Sequence, residues 1–265
     1  MATPKVERDG RRGGQPDARV ESCSGASRTT CPARRRRCSM RRHDDGGIGV
    51  QAVVFDLDGT LVDTMTSLPE AYVAAIAELG GPELTVDELV GMWHLGPAPA
   101  LLAHILGRAV TDDETERLYE HAAAAVESAR PFPGVRELLR ALRDDGVLLA
   151  VYTSATRRIA DPMLAGSGLD GYFPVVVTGD QVADPKPAPD GLLHACRLLG
   201  VSASETAYVG DSETDLGCAR AAGAAPVHAR WSASSRSGHH PPAAYRPADV
   251  ITVLSARRPL CEGSP

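Results

Sequence analysis

The sequence predicts an α/β fold: a doubly wound, Rossmann-like parallel sheet with an inserted helical cap domain. Short runs of apolar, largely β-branched residues alternate with segments whose apolar residues recur every three to four positions. Continuous apolar runs are typical of strands buried on both faces, and their alternation with helices is typical of a parallel sheet. One long helical stretch follows the first run and interrupts the alternation, which indicates an insertion.

The first strand is predicted at residues 50–55, where the sequence reads VQAVVF, and ordered structure is expected from residue 48. The run is apolar without alternation, which favours a strand covered on both faces. It ends in Asp-Leu-Asp-Gly-Thr, a polar segment in which the glycine permits a turn. The chain therefore leaves the sheet here, and polar groups gather at the carboxyl end of the strand.

Residues 65–130 are predicted to be helical throughout. Apolar residues recur at helical spacing from residue 67, and a Gly-Gly-Pro run stops this first helix. Thr85 is predicted to cap a second helix, and two more helices are predicted at 100–106 and 113–128. The size of this block suggests a small bundle.

After residue 131 strands and helices alternate again. Helices are predicted at 134–145, 156–166, 189–199 and 213–222, and strands at 147–153, 174–180, 206–211 and 225–229, with an edge strand at 248–253. Residues 231–247 are predicted to form a mobile loop. The predicted core therefore comprises residues 48–64 and 131–265, and the predicted cap comprises residues 65–130.

Residues 1–47 are predicted to form a disordered basic tail. The first 50 residues hold 12 Lys and Arg against six Asp and Glu, whereas the whole chain has a net charge of −6. The tail lacks hydrophobic periodicity, which favours disorder or a wrongly assigned start codon. A nucleic-acid tether and a transit peptide are the alternatives, and the six acidic residues count against the transit peptide.

Composition also limits the class of protein. The sequence has no run of 18 apolar residues and no signal-peptide core, so we expect no membrane span and no membrane partner. The six cysteines form no C-x-x-C pair, a pattern typical of reduced thiols, and we expect a cytoplasmic location. We expect no nucleic-acid partner, and a monomer or a homodimer.

Polar residues follow the predicted strands where those strands end. Because ligands of open parallel sheets bind beyond the carboxyl ends of the strands, we expect these residues to meet in one crevice. They are Asp56, Asp58, Thr153, Ser154, Lys186, Asp211 and Asp215. Lysine occurs only twice in the chain, at Lys5 and Lys186, so a lysine at this edge is improbable by chance.

The set is chemically coherent for phosphoryl transfer. An aspartate nucleophile, Asp56, needs a cation to suppress its repulsion of phosphate, and Asp56 and Asp211 offer the hard oxygens that Mg²⁺ prefers. Lys186 can neutralise charge on the nucleophile and on the phosphate, and Thr153 can hold phosphate oxygens. Asp58 can protonate the leaving oxygen and later activate water.

The motifs resemble those of the haloacid dehalogenase superfamily, phosphatase branch. The run 56–64 (DLDGTLVDT) is similar to its first signature, Thr153 to the second, Lys186 to the third, and 210–215 (GDSETD) with the later Ala-Gly at 222–223 to the fourth. The four occur in order across residues 50–253. Within the superfamily the chain is most similar to phosphoglycolate phosphatases and to their pyrophosphatase and phosphomutase relatives.

The resemblance implies roles for these residues. Asp56 is expected to be the nucleophile and Asp58 the acid and base, with the Asp58 backbone carbonyl as a metal ligand. Asp211 is expected to bind Mg²⁺ directly, and Asp215 to support the metal through water or hydrogen bonds. Ser154 is expected to bind phosphate beside Thr153. A second Asp in the first signature argues against dehalogenase chemistry.

The resemblance also implies a cap that sets the substrate and hinges near residues 62–66 and 130–134. His94 and Arg108 are the candidate substrate contacts in the cap. Residues 59–185 hold no lysine, which disfavours a phosphonatase mechanism that needs a cap lysine. The Gly-Pro break at 96–97 carries no basic residue, which counts against a strongly anionic phosphosugar.

The predicted function is a Mg²⁺-dependent phosphatase that hydrolyses a small-molecule phosphate monoester through a phosphoaspartate. A phosphomutase of the β-phosphoglucomutase type and a pyrophosphatase are alternatives on the same fold. A receiver-type signalling module also uses a phosphorylated Asp, a Thr and a Lys, but it has no inserted cap. A catalytically silent binding protein is the remaining alternative.

Overall fold

The computed structural model describes residues 48–232, 235 and 242–256. The predicted tail at 1–47 lies outside the described residues, as does part of the predicted loop at 231–247. The strands of the described part of the chain are β1 (Ala52–Phe55), β2 (Val62–Asp63), β3 (Arg130–Pro131), β4 (Leu148–Tyr152), β5 (Val175–Val177), β6 (Thr206–Gly210), β7 (Ala225–Ala229) and β8 (Ala243–Ala244).

The helices fall into two groups along the chain. Those between β2 and β3 are α1 (Ser67–Glu78), α2 (Val86–Gly91), α3 (Ala98–Leu106) and α4 (Asp112–Ser128). Those after β3 are α5 (Val135–Asp144), α6 (Arg157–Gly166), α7 (Asp190–Leu199), α8 (Glu213–Ala222) and α9 (Asp249–Ser255). Short 3-10 turns occur at Trp93–Leu95, Asp170–Tyr172, Gly179–Gln181 and Ala203–Glu205.

Six strands form one sheet in the order β5-β4-β1-β6-β7-β8, and every neighbouring pair is parallel. The chain starts in the middle at β1, proceeds outward through β4 to β5, and then crosses over to β6 on the other side of β1. The order therefore reverses between β1 and β6, and the crevice outside the carboxyl ends at such a reversal is where ligands bind in open sheets. The predicted doubly wound parallel sheet is confirmed.

Alternation along β1 divides the core into two layers, because successive strand residues point to opposite faces. Val53 and Phe55 pack in the larger hydrophobic cluster, which includes the buried faces of α5, α6 and α9. Val54 packs in the second cluster with α7 and α8. Helices therefore cover both faces of β1, which explains why its sequence shows no polar alternation.

The helical insertion leaves the core through β2 and returns through β3. These two strands pair antiparallel, with Val62 opposite Pro131 and Asp63 opposite Arg130. In the insertion α1 packs on α4, and α4 also packs on α6 of the core. Two capping boxes begin its helices, Thr85 with Glu88 at α2 and Thr111 with Glu114 at α4.

The predicted edge strand at 248–253 is wrong, because this segment belongs to α9. Its β-branched residues favoured a strand, but Val250 and Leu254 are the buried pair, four residues apart on one helical face. The last described strand is instead β8, which pairs with β7. β8 lies within residues 231–247, which were predicted to form a mobile loop.

Among the described residues, no single helix is long and apolar enough to cross a bilayer. One sharply bent pair of helical segments, 86–95 with 98–106, has the required length and composition when the two are taken together. The expected cytoplasmic location and the expected monomeric or homodimeric state stay predictions.

Candidate active site

Neighbouring parallel strands bring two aspartates side by side. Phe55 of β1 lies opposite Val209 of β6, so Asp56 and Asp211 are the polar residues that follow on adjacent strands. The backbone N–H of Asp56 donates to the Val209 carbonyl at 2.9 Å, which continues the ladder past the end of β1. Residues that are far apart in sequence therefore start from neighbouring points of the sheet edge.

Asp215 reaches the same point from the first turn of α8. Ser212 caps this helix: its hydroxyl accepts from the Asp215 N–H at 3.2 Å, and the Ser212 N–H donates to Asp215 Oδ2 at 3.1 Å. This capping box turns the Asp215 side chain back toward the strand end. Oxygens of Asp56, Asp211 and Asp215 lie within 4.8 Å of one another, and all three residues are buried.

Lys186 contacts two members of this acidic triad (Asp56, Asp211 and Asp215) and is 4% exposed. Its Nζ donates to Asp56 Oδ1 at 2.6 Å and to Asp215 Oδ1 at 2.8 Å. The same ammonium lies 4.9 Å from the ring centre of Tyr152 and 5.3 Å from that of Tyr208. One buried ammonium is thus held by two carboxylates and two aromatic faces.

The triad carries more negative charge than Lys186 balances. Burial raises the pKa of Asp56 well above its ordinary value; Lys186 opposes this rise and the other two carboxylates add to it. Burial, and then the charge of Asp215, raise the pKa of Asp211 to about 7. Burial disfavours the charged form of Lys186, but Asp215 and Asp56 outweigh it and its pKa rises. Three buried carboxylates with surplus charge fit a hard divalent cation such as Mg²⁺.

Asp58 follows Asp56 by two residues, and its carboxylate is not one of the three that cluster in the triad. The chain turns at Gly59, whose φ is +76°, and Thr64 Oγ1 donates to Asp58 Oδ1 at 2.6 Å. Burial raises the pKa of Asp58, with Thr64 and Lys186 opposing the rise. A half-buried carboxyl with a raised pKa is suited to proton transfer.

Thr153 and Ser154 follow β4 at the same edge. Thr153 is 1% exposed, and its hydroxyl oxygen accepts from the Ala155 N–H at 3.1 Å, which closes the turn after the strand. The Ala155 carbonyl in turn accepts from the Gly179 N–H at 2.8 Å. This turn brings both Thr153 and Ser154 to the wall of the cavity described next.

A cavity of about 450 Å³ separates these strand ends from the helical insertion. On the core side it is lined by the acidic triad, Asp58, Lys186 and the turn after β4. On the insertion side the lining includes Leu68, Tyr72, Trp93, His94, Ala98 and Leu101. The structure therefore brings all seven predicted strand-end residues to one crevice, and His94 to its opposite wall.

Arg108 does not join them. It is absent from the cavity lining, and its guanidinium pairs with Glu114, with Nη2 at 2.6 Å from Oε1. The start of α3 faces the cavity at Ala98, whereas Arg108 follows the far end of that helix, about 12 Å further along its axis at 1.5 Å per residue. The left-handed Gly107 ends α3 there.

Comparison with known proteins agrees with this geometry. Residues 53–229 match the family model described as "Haloacid dehalogenase-like hydrolase". The chain belongs to this family. A phosphoglycolate phosphatase of Cupriavidus necator is 37% identical to this hydrolase over 212 residues, which cover 77% of this chain and 90% of the relative.

Solved structures of relatives share the fold. A hydrolase from Pseudomonas syringae matches this hydrolase with a TM-score of 0.65 and 26% identity, over 79% of this chain and all of the relative (100%). CbbY from Rhodobacter sphaeroides, solved in complex with phosphate, matches with a TM-score of 0.69 over 77% of this chain and 99% of its own. At 22% identity the CbbY match shows the fold alone.

Several residues that support the site of this hydrolase were missed by sequence reasoning. Thr60 Oγ1 donates to Asp211 Oδ1 at 3.2 Å, and Trp231 Nε1 donates to the Thr60 carbonyl at 2.9 Å. The Tyr208 hydroxyl lies 3.1 Å from Asp215 Oδ1. Thr60 belongs to the first motif and could have been singled out, whereas a tyrosine inside a strand has no sequence feature that separates it from a core residue.

Replacing Gly59 with alanine should damage the site more than the fold. A Cβ on Gly59 would lie 2.6 Å from Asp211 Oδ2, and the positive φ strains any side chain. Gly80→Ala is the matched control, because Gly80 has a φ of +75° and no atom within 4 Å of the added Cβ. We expect each variant to lose about 1–2 kcal/mol of unfolding free energy from backbone strain, measured with urea.

The clash with Asp211 adds a second effect at Gly59 only. We expect the Gly59→Ala variant to require at least about tenfold more Mg²⁺ for half-maximal activity, which is about 1.4 kcal/mol of metal affinity. Gly80→Ala should keep the native requirement. Equal Mg²⁺ requirements in the two variants would contradict the contact between Gly59 and the triad.

Proposed function

We propose that this chain is a Mg²⁺-dependent phosphatase that hydrolyses a small-molecule phosphate monoester through a phosphoaspartate on Asp56. The observation that carries the proposal is the buried Lys186, whose ammonium joins Asp56 to Asp215 at 2.6 and 2.8 Å within the acidic triad. A nucleophilic carboxylate held by an ammonium, beside oxygens suited to a divalent cation, is an arrangement for attack on phosphorus.

In the first half-reaction the Asp56 carboxylate attacks phosphorus and the bond from phosphorus to the ester oxygen breaks. The Asp58 carboxyl donates its proton to the departing alkoxide, and the alcohol leaves. Lys186 holds Asp56 Oδ1, and Thr153 and Ser154 bind phosphate oxygens from the turn after β4. Mg²⁺ bound by Asp56, Asp211, Asp215 and the Asp58 carbonyl would supply the positive charge that screens phosphate from the carboxylates.

In the second half-reaction the Asp58 carboxylate accepts a proton from a water molecule that attacks the phosphoaspartate. Inorganic phosphate leaves, and Asp56 and protonated Asp58 are restored. Thr64 holds Asp58 Oδ1 at 2.6 Å, which keeps the carboxyl in one position for both proton transfers. Closure of the helical insertion, hinged at the β2–β3 ribbon, would exclude bulk water during the first half-reaction.

Removal of Mg²⁺ tests the metal part of the proposal. We expect phosphate release from a panel of monoesters to stop after treatment with EDTA and to return when Mg²⁺ is added. Asp211→Asn should raise the Mg²⁺ concentration for half-maximal activity at least about tenfold, because the triad loses one anionic ligand.

Asp144→Asn is the matched control, since Asp144 is exposed on α5 and should keep the native Mg²⁺ requirement. Full activity in EDTA would contradict the metal assignment. Release of phosphate without a sugar acceptor would favour hydrolysis over the phosphomutase alternative, and release from pyrophosphate but from no monoester would favour a pyrophosphatase.

A further inference from the structure

The cavity has two walls of different chemistry. The core wall carries the carboxylates and Lys186. The opposite wall, formed by the helical insertion, is lined by ten residues: Met65, Leu68, Tyr72, Val90, Gly91, Trp93, His94, Gly96, Ala98 and Leu101. None of the ten is a lysine, an arginine or an acid. The alcohol part of a phosphate ester bound at Asp56 would face this wall.

Positive charge is scarce in the cavity as a whole. Among the lining residues that the structure describes, Lys186 is the one lysine or arginine, and its ammonium is already held by Asp56 and Asp215. Arg108, the arginine expected to contact the substrate from the cap, is bound to Glu114 and does not line the cavity. A carboxylate or a second phosphate on the substrate would therefore face an apolar wall without a lysine or arginine to pair with it, which disfavours its binding.

Two polar side chains interrupt the apolar wall. Tyr72 lines the cavity, and its hydroxyl makes no hydrogen bond with a described residue. His94 Nδ1 lies 2.8 Å from the Gly91 carbonyl, which can only accept, so Nδ1 carries a proton and donates. These groups suit a neutral hydroxyl or amide. The volume of about 450 Å³ lies within the range of about 300–1,000 Å³ that is typical of small-molecule sites.

We propose that the substrate is the phosphate monoester of an uncharged, largely apolar alcohol, whose body packs against Leu68, Trp93 and Leu101 and whose polar group meets Tyr72. This inference rests on the proposed phosphatase function and names its substrate class. It differs from the substrate in the name of the Cupriavidus necator relative, because phosphoglycolate carries a carboxylate beside the ester. The specificity therefore lies in the cap wall, whose described residues include no lysine or arginine.

Three esters test the substrate class. Benzyl phosphate and 4-carboxybenzyl phosphate differ by one carboxylate far from the reacting bond, and p-nitrophenyl phosphate, an activated ester with a good leaving group, reports whether the catalytic machinery is active. We expect kcat/KM for benzyl phosphate to exceed that for 4-carboxybenzyl phosphate and for 2-phosphoglycolate by at least about 100-fold. Equal or better turnover of the two carboxylates, with p-nitrophenyl phosphate hydrolysed, overturns the substrate class and leaves the phosphatase function intact.

A cation placed in the cap wall should reverse the preference. Gly91 lines the cavity, is exposed, and has no atom within 4 Å of an added Cβ, so a side chain fits there. Gly91→Lys should raise the ratio of kcat/KM for 4-carboxybenzyl phosphate over benzyl phosphate at least about tenfold, and Gly91→Gln, the uncharged control of similar length, should leave it unchanged. An unchanged ratio in Gly91→Lys counts against the inference, and no phosphate release from any ester overturns it together with the proposed function.

Discussion

Replacing Asp56 with asparagine should reduce phosphate release by about 10⁴-fold or more, because the amide lacks the nucleophilic oxygen anion that forms the phosphoaspartate. The amide has nearly the volume of the carboxylate, so the buried cavity stays filled. It also lowers the surplus negative charge of the triad, and the fold should be at least as stable as the native one. Steady-state phosphate release at saturating Mg²⁺ measures the rate, and urea unfolding measures the stability.

The phosphoaspartate itself gives a second readout for Asp56. With a substrate labelled in its phosphate, acid quenching during turnover should leave label on the native protein and none on Asp56→Asn. Asp144→Asn, which makes the same change on the exposed face of α5, should keep both the rate and the label. Labelling of Asp56→Asn at the native level would place the covalent intermediate on another residue.

Replacing Lys186 with methionine should reduce phosphate release by about 10³-fold, because no positive side chain would then neutralise Asp56 and the bound phosphate. Methionine preserves most of the apolar stem against the rings of Tyr152 and Tyr208. The substitution removes the ammonium, so the buried carboxylates of Asp56 and Asp215 lose their cationic partner. Removing one partner of such a buried pair costs about 3–5 kcal/mol, so the metal-free variant should unfold at lower urea than the native protein.

Mg²⁺ separates the two effects of Lys186→Met. Saturating Mg²⁺ should recover part of the lost stability, since the cation compensates the same carboxylates, but it should not restore the rate. Arg220→Met is the matched control, because it removes a positive charge from the exposed last turn of α8 and should change neither quantity. A Lys186→Met variant with a near-native rate would remove Lys186 from the mechanism.

Much of the fold followed from local patterns. The predicted strands at 147–153 and 206–211 contain β4 and β6, and the helix predicted at 213–222 coincides with α8. Such segments bury one continuous run or one helical face, so periodicity predicts them. The strand predicted at 248–253 was wrong. The β-branched residues of this segment favour a strand locally, but the packing of Val250 and Leu254 on the core stabilises a helix.

Some site residues could likewise be identified from short motifs, whereas others could be identified only from their contacts in the structure. Asp56, Asp58, Lys186 and Asp211 could be singled out because they follow strands in short motifs, and strand ends of a parallel sheet meet at one edge. Tyr208 became visible only through its hydrogen bond to Asp215, whereas Thr60, which donates to Asp211, already belonged to the first motif. Arg108 was a candidate because the resemblance implies a specificity loop in this part of the cap. The direction of its side chain depends on how α3 ends and on Glu114, which no motif reports.

The sequence by itself determined the order of the elements, the class of the fold and the identity of the polar residues at the strand ends, since each depends on residues close together in the chain. Only the tertiary structure decided that Lys186 lies within 2.8 Å of both Asp56 and Asp215, and that the opposite wall of the cavity is apolar. Those facts depend on contacts between segments far apart in the chain. Contacts of that kind arise only when the strands pair into the sheet and the helical insertion packs over its edge.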